Sequence, residues 1–532
     1  MTAREQRLQL LRTRLACQPG GDRFTMTQTG LDRYRIGPAH EAYRLIVPLL
    51  VQHGGRFGTL VATDERARGG GFLLRTVVLF DQEGLIIEVQ EGCSATLPVL
   101  TSIAQWVPAA HWQEREAAEM FGLQLADHPE PLRHLLHEHT AWDYHPLCKD
   151  VPLEQPVPTA RAWPPRFLDV RGEGVYEIPV GPIHAGIIEP GHFRFFGLGE
   201  RILHLSIRLG WQHKGIEKLF EGLQPQAGVR LAERISGDTS FGHALAFCRA
   251  LEDLAGTPAP SRAAHLRALA MELERLANHV GDLGGLCTDI GFAFGAAHFG
   301  RLRGEFLNRA EALTGSRFLR GFCCPGGVRS DLDGPVIEEL RAWVKRVRDD
   351  LQSVVSRTFE AETVIARMTH VGVLTRRTAR AFGVVGPAAR ASGIKIDVRR
   401  DHACAPYDAL GVTPVVETDG DVAARARLRH GEALQSLELI DRILTTLPPG
   451  PIVTPPGPLP PFTIGLGHVE AWRGEVLTVV IVGDDGLLWR VRVRDPSVQN
   501  WIGLALAVEV NEVSDFPLCN KSFNLSYSGS DL

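Results

Sequence analysis

The sequence predicts an α+β chain: a small N-terminal α/β unit, a proline-rich linker, and a mainly α-helical bundle with peripheral β-structure. Three observations carry that expectation. Residues 1–150 contain β-rich runs around a glycine-bearing turn, and residues 151–174 hold Pro152, Pro156, Pro158, Pro164 and Pro165. From 175 to 532, leucine and valine recur at steps of three and four in three long stretches. A chain of 532 residues also exceeds what one core usually organises, so two or three domains are expected.

In the front unit, Phe72-Leu-Leu-Arg-Thr-Val-Val-Leu-Phe80 and Leu85-Ile-Ile-Glu-Val89 flank the turn Asp81-Gln-Glu-Gly84, which reads as a hairpin. The apolar run Arg44 to Val51 fits either a buried strand or a short core helix. The linker prolines fix φ and remove donors, so neither helix nor ladder persists there. Beyond it, Leu266, Leu269, Leu273, Leu276, Val280 and Leu283 mark one bundle helix. Val336, Leu340, Val344, Val347, Leu351 and Val354 mark a second; Leu434, Leu437, Ile440 and Leu444 mark a third that stops at the tract Pro448 to Pro461. In the tail, Gly483-Asp-Asp-Gly486 turns between Thr478–Val482 and Trp489–Arg494, whose period of two places Arg490, Arg492 and Arg494 on one face.

Composition narrows the function. The net charge of -5 comes from interspersed charges with no basic block, which excludes a nucleic-acid role. No apolar run approaches the ~18 residues of a spanning helix, so membrane association is expected to come through partner subunits. The start, Met1-Thr-Ala-Arg-Glu-Gln-Arg, lacks an apolar signal region and points to the cytoplasm. Nine cysteines include no Cys-x-x-Cys; the adjacent Cys323 and Cys324 are poorly placed to chelate one ion. No Gly-x-Gly-x-x-Gly after a strand supports nucleotide binding by this chain.

Several ordered blocks carry a family resemblance. Trp112-Gln-Glu-Arg-Glu-Ala-Ala-Glu-Met-Phe-Gly122, with Asp127-His-Pro and His145-Pro-Leu-Cys-Lys-Asp150, resembles the 30-kDa subunit of respiratory complex I, Glu119 replacing the usual aspartate. From Gly181-Pro-Ile-His184 onward the chain resembles the complex I 49-kDa subunit and the large subunits of group 4 membrane-bound [NiFe] hydrogenases, of the formate hydrogenlyase type. The matching blocks are Glu189-Pro-Gly-His-Phe-Arg194, His213-Lys-Gly-Ile-Glu-Lys218, Glu272-Leu-Glu-Arg-Leu-Ala-Asn-His279, Pro325-Gly-Gly-Val328 and Val469-Glu-Ala-Trp-Arg-Gly-Glu475. The resemblance implies a 30-kDa-like domain over 1–150, a linker over 151–174 and a hydrogenase-large-subunit-like domain over 175–532.

It also permits a test of chemistry by position. The hydrogenases hold nickel with four thiolates from two Cys-x-x-Cys pairs, soft ligands suited to that metal. Here Ser236 and Thr239, in Arg234-Ile-Ser-Gly-Asp-Thr-Ser-Phe-Gly-His243, and Ser526 and Gly529, near the end, occupy those positions. No metal is therefore expected, nor is a C-terminal extension of the kind that hydrogenases remove after nickel insertion, since the sequence runs only to Leu532 after Gly529. Complex I instead uses a tyrosine after the first lost cysteine and a histidine in the Gly181 to Arg194 loop for quinone. This chain has Gly237 and Glu189 there, as hydrogenases do.

The resemblance implies Glu189 and His184 as a proton relay. Glu189 follows Ile187-Ile188, and a carboxyl buried among apolar groups would hold its proton more tightly. Arg234, Gly237, Asp238 and His243 are expected beside the cavity. His213 and Glu217, like Lys214 and Lys218, have the spacing of one helical turn, and Glu272, Arg275 and His279 lie on the polar side of the first stripe, with Asp289 at its end. Asp397, Arg399 and Asp401 resemble a charged segment flanking the cavity, whereas Glu114, Arg115 and Glu116 read as a structural ion-pair network.

The expected function is that of a core hydrophilic subunit of a membrane-bound respiratory oxidoreductase, moving electrons with protons and active only within its complex. The alternatives are a catalytically degenerate scaffold or coupling subunit and, third, a true hydrogenase. The implied partners are a small iron-sulfur subunit, a ferredoxin-like subunit and antiporter-like membrane subunits, with the chain peripheral on the inner face of the membrane. No cofactor is expected on this chain; the iron-sulfur cluster belongs to the small subunit, quinone is a candidate acceptor, and NAD enters only at the level of the whole complex.

Overall fold

The computed structural model describes residues 2–161, 167–168, 170–184 and 188–532. The front unit is a five-stranded sheet in the order Met26–Gln28, Arg33–Ile36, Leu85–Cys93, Phe72–Phe80, Arg56–Asp64. Its centre is the expected hairpin, Phe80 opposite Leu85, extended past Val89 to Cys93. Arg33–Ile36 pairs in parallel with Leu85–Cys93, and the other neighbours are antiparallel. The run around Arg44 to Val51 is helical, Ala42–Gln52, with Pro48 inside it. Its Tyr43, Ile46, Val47 and Leu50 are buried in one core with Leu60, Val78, Phe80 and Ile87.

All three leucine and valine stripes are long helices: Ser261–Ile290, Gly334–Phe359 and Val422–Thr446. Asp333 and Asp421 cap the last two through the amides of Val336 and Ala424, satisfying donors a helix start leaves open. The Ser240–Ala255 helix is buried along nearly its whole length, including Phe241, Leu245, Phe247 and Leu251. It lies against a three-stranded antiparallel sheet, Gly465–Ala471, Gly474–Val482 and Leu488–Arg494. Close packing is visible at Gly467, where a Cβ would stand 1.7 Å from the Ala246 carbonyl. Among the described residues no helix is long and apolar enough to cross a membrane.

The front unit meets the helical part along an apolar seam: Val61, Val77, Leu79 and Ile86 against Ile464, Leu466, Leu477, Val479 and Ile481. Beside it, the arginine face of Leu488–Arg494 is buried rather than solvated. Arg490 and Arg492 reach Glu217 at 2.7 and 3.3 Å, Arg492 also pairs with Glu116, and Arg494 pairs with Glu475. This corrects the expected helical turn over His213 to Lys218. Gly215, at φ 63°, caps a helix of only Ile216–Leu219, and Glu217 turns inward instead of pairing along a surface. Glu116 is thus part of an ion-pair network, while Glu114 accepts from Tyr43, Ser102 and the Ile103 amide, and Glu119 accepts the amides of His134, Leu135 and Leu136.

Candidate functional site

Ser236 and Thr239 sit in the turn that opens the Ser240–Ala255 helix, and Ser526 caps the short terminal helix Tyr527–Ser530 by accepting the Gly529 amide at 2.9 Å. Although 290 residues separate them, the Ser236 and Ser526 hydroxyl oxygens lie 2.9 Å apart in a direct hydrogen bond, and Ser236, Thr239 and Ser526 are buried. The four expected positions therefore converge. Their hydroxyls bond to one another and to an ion pair.

That ion pair is Asp238 with Arg473. Arg473 approaches the Asp238 carboxylate with both terminal nitrogens, Nη2 at 2.6 Å from Oδ2, and donates from Nη1 to Thr239 Oγ1 at 2.9 Å. The Ser236 hydroxyl donates to Asp238 Oδ1 at 3.0 Å. Against the cost of burial, the Arg473 guanidinium and this hydroxyl hold the Asp238 carboxyl below the ordinary carboxylate range. Trp472 adds its indole N–H to the Asp238 carbonyl and Thr239 Oγ1 at 3.0 and 3.1 Å.

Gly529 faces a second pair. A Cβ built there would stand 2.7 Å from Asp495 Cγ and Oδ2 and 3.0 Å from Ser526 Oγ. Asp495 Oδ2 lies 2.9 Å from His243 Nε2, and its Oδ1 accepts the Ser497 amide at 2.7 Å. Burial raises the cost of the Asp495 charge, but His243 and Arg473 hold the carboxyl below its ordinary value. The carboxylate of Asp495 thus fills the space that a side chain at 529 would need.

The [NiFe] centre implied by the resemblance requires four soft thiolates around open coordination space. These residues supply three hydroxyls engaged with Asp238, Arg473 and each other, and a glycine whose outward direction is blocked. The donor set does not fit that centre.

The remaining expected residues divide. Glu189 is half-buried, and its Oε2 accepts the Tyr527 and Ser528 amides at 3.0 and 3.2 Å, which ties it to the terminal helix beside Ser526. Ile187, one of its expected apolar neighbours, lies outside the described residues, and Ile188 is exposed. His184 is half-buried with its ring 5.4 Å from that of Phe193; its Nε2 is buried without a hydrogen-bond partner among the described residues. Gly237 is exposed with open space around its Cβ position. Arg234 is exposed, its carbonyl accepting from Lys214 Nζ at 2.7 Å, so it stands apart from the cluster. The sequence alone assigned no role to Arg473 and did not single out Asp495. Arg473 lies in the block Val469 to Glu475, but nothing in its spacing says that it reaches back to Asp238.

Comparison with known proteins places the chain in a family. Residues 40–157 match the family model of the respiratory-chain NADH dehydrogenase 30 Kd subunit, and residues 289–461 match that of the 49 Kd subunit. Formate hydrogenlyase subunit 5 of Escherichia coli (strain K12) is 33% identical over 488 residues, 91% of this chain and 86% of that protein. The C/D subunit of the NADH-quinone oxidoreductase of Phocaeicola vulgatus is 29% identical over 377 residues, 66% of this chain and 71% of the relative. Among solved structures, a chain of the membrane-bound sulfane sulfur reductase, an archaeal respiratory membrane complex, superposes with a TM-score of 0.63 at 27% identity, covering 68% of this chain and 99% of its own. The class is a subunit of membrane respiratory complexes with 30-kDa- and 49-kDa-type parts fused in one chain. The chain belongs to the family that contains formate hydrogenlyase subunit 5 and hydrogenase-4 component G, related to the C/D fusions of NADH-quinone oxidoreductase.

Proposed function

We propose that this chain is a core hydrophilic subunit of a membrane-bound respiratory oxidoreductase and takes part in electron transfer coupled to proton movement without a [NiFe] centre. One observation carries the reading: at the positions of the four thiolates, Ser236 and Ser526 bond directly to each other beside the Asp238–Arg473 ion pair. Such a cluster is a fixed polar surface, able to orient a small polar acceptor or its water and unable to bind a hydride-carrying metal.

In this reading electrons arrive from an iron-sulfur cluster in a small partner subunit, supplied by a ferredoxin-like subunit, and antiporter-like membrane subunits anchor the assembly on the cytoplasmic face. The acceptor is a quinone or another small molecule, and NAD belongs to the complex rather than to this chain. Glu189 and His184 serve as the proton relay. Glu189 has one oxygen fixed by two amides, which leaves the other to exchange a proton, and the Nε2 of His184 is unpartnered among the described residues.

Glu189→Gln keeps the carboxamide oxygen for the Tyr527 and Ser528 amides and removes the acid. Turnover of the assembled complex is expected to fall by roughly 10²-fold, with assembly intact. Unchanged turnover would remove Glu189 from the mechanism and support the rival reading, a scaffold or coupling subunit with no chemistry of its own.

A further inference from the structure

Away from the hydroxyl cluster, seven charged side chains from five segments meet in the core, none more than 2% exposed. They are Glu272 and Arg275 of Ser261–Ile290, Arg390, Asp397 and Arg399, Glu432 of Val422–Thr446, and Glu470 of Gly465–Ala471. Four carboxylates face three guanidiniums. His279 joins them through Nε2, 2.8 Å from Glu432, and burial lowers its own proton affinity to a pKa of about 4, so it adds no cation near neutrality. The set carries one negative charge in excess, and an uncompensated buried charge is resolved by taking up a proton.

Geometry identifies the carboxylate that takes it. Glu272 accepts from Arg275, Arg399, Tyr407 and Ser436 at 3.1, 3.2, 2.7 and 2.6 Å. Asp397 accepts from Arg399 Nη2 and Nε at 2.7 and 3.0 Å. Glu432 has Arg390 Nε at 2.6 Å as well as His279. Glu470 has one cationic donor, Arg390 Nη1 at 2.7 Å, shared with Glu432 and 3.9 Å from Asp397, and one amide, Val398 at 3.1 Å. Arg249, Arg399, Cys404 and Tyr407 line a void of about 10 Å³ with Glu470, but the Arg249 guanidinium donates to the His468 carbonyl at 3.2 Å.

We propose that Glu470 is a buried proton-holding site, keeping its proton far above the range of an ordinary carboxylate and exchanging it as the charge at the neighbouring cluster changes. The link to that cluster is covalent and short. Arg275 grips the carbonyls of Glu470 and Ala471 at 2.6 and 3.1 Å, and the same chain runs on into Trp472 and Arg473, which hold Asp238. Burial, opposed by Arg390 and reinforced by the charge of Asp397, pushes the Glu470 carboxyl up to about 7, whereas Glu272 is held at about 2. The exchange with turnover rests on the proposed oxidoreductase function; the resting proton does not.

The test is difference infrared spectroscopy of the full chain in its complex, in light and heavy water, across pH 7. The wild type is expected to show the carbonyl stretch of a protonated carboxylic acid, shifted by deuteration, titrating with a midpoint of about 7 and absent from Glu470→Gln. Asp397→Asn removes a charge that disfavours ionisation of Glu470, so it should move the midpoint below 7 and provides a second variant should Glu470→Gln fail to fold. Because the folded value lies above the ordinary 4.5, this carboxyl's contribution to stability is complete below about 4.5 and is lost as pH rises through about 7. Relative to Glu470→Gln, the wild-type folding equilibrium should weaken by roughly 10²-fold across that window. Identical spectra for wild type and Glu470→Gln, or a midpoint unmoved by Asp397→Asn, would overturn the proposal. Neither readout requires an electron acceptor, so failure here is distinct from failure of Glu189→Gln to slow turnover.

Discussion

Arg390→Met is expected to cost the fold about 3–5 kcal/mol, because it leaves Glu432 and Glu470 buried without the cation they share. The arginine is completely buried, donates from Nε to a helix and from Nη1 to a strand, and also holds the Ile396 carbonyl at 2.9 Å. Methionine replaces most of the volume and none of the charge. The shift in urea midpoint against wild type at constant slope measures the loss. A cost below about 1 kcal/mol would mean that Glu432 and Glu470 are neutralised by protons or by other cations without Arg390.

Gly529→Cys is expected to destabilise the chain by about 1–3 kcal/mol, the usual cost of forcing atoms into a filled interior. Its Cβ would lie 2.7 Å from the Asp495 carboxylate, which the His243 pairing and the Ser497 amide hold in place. Ser526→Cys exchanges oxygen for sulfur on an existing side chain and should cost less. Unfolding midpoints of the two variants compare them directly; equal stability to wild type for Gly529→Cys would show that Asp495 yields easily. Introducing cysteine at all four positions is therefore not expected by itself to build a thiolate site, since the Asp495 carboxylate occupies the space beside Gly529.

Much of the fold was legible because periodicity is local. The hairpin and the three long helices follow from steps of two or of three and four, and the run at Arg44 to Val51, compatible with strand or helix, became the helix Ala42–Gln52. The failures were long-range or set by one glycine. The His213 to Lys218 spacing suggested a helical turn, but the left-handed Gly215 breaks it and sends Glu217 to arginines 273 and 275 residues away in sequence, where no spacing signal exists. The four positions that the resemblance pairs with thiolates converge in the fold. Asp495 was not legible, because its role depends on a missing side chain at Gly529, and absence leaves no motif. Glu189 was expected among apolar groups and is instead fixed by the amides of Tyr527 and Ser528, which depend on how the terminal segment folds back.

In the proposed function the hydroxyl and ion-pair cluster works without nickel. Its most direct test is the nickel content of the intact complex, isolated under conditions that preserve its iron-sulfur clusters and assayed for electron transfer on the same sample. Active complex is expected to carry nickel far below one atom per chain. One tightly held nickel per chain, with hydrogen-dependent turnover that falls as the metal is removed, would contradict it.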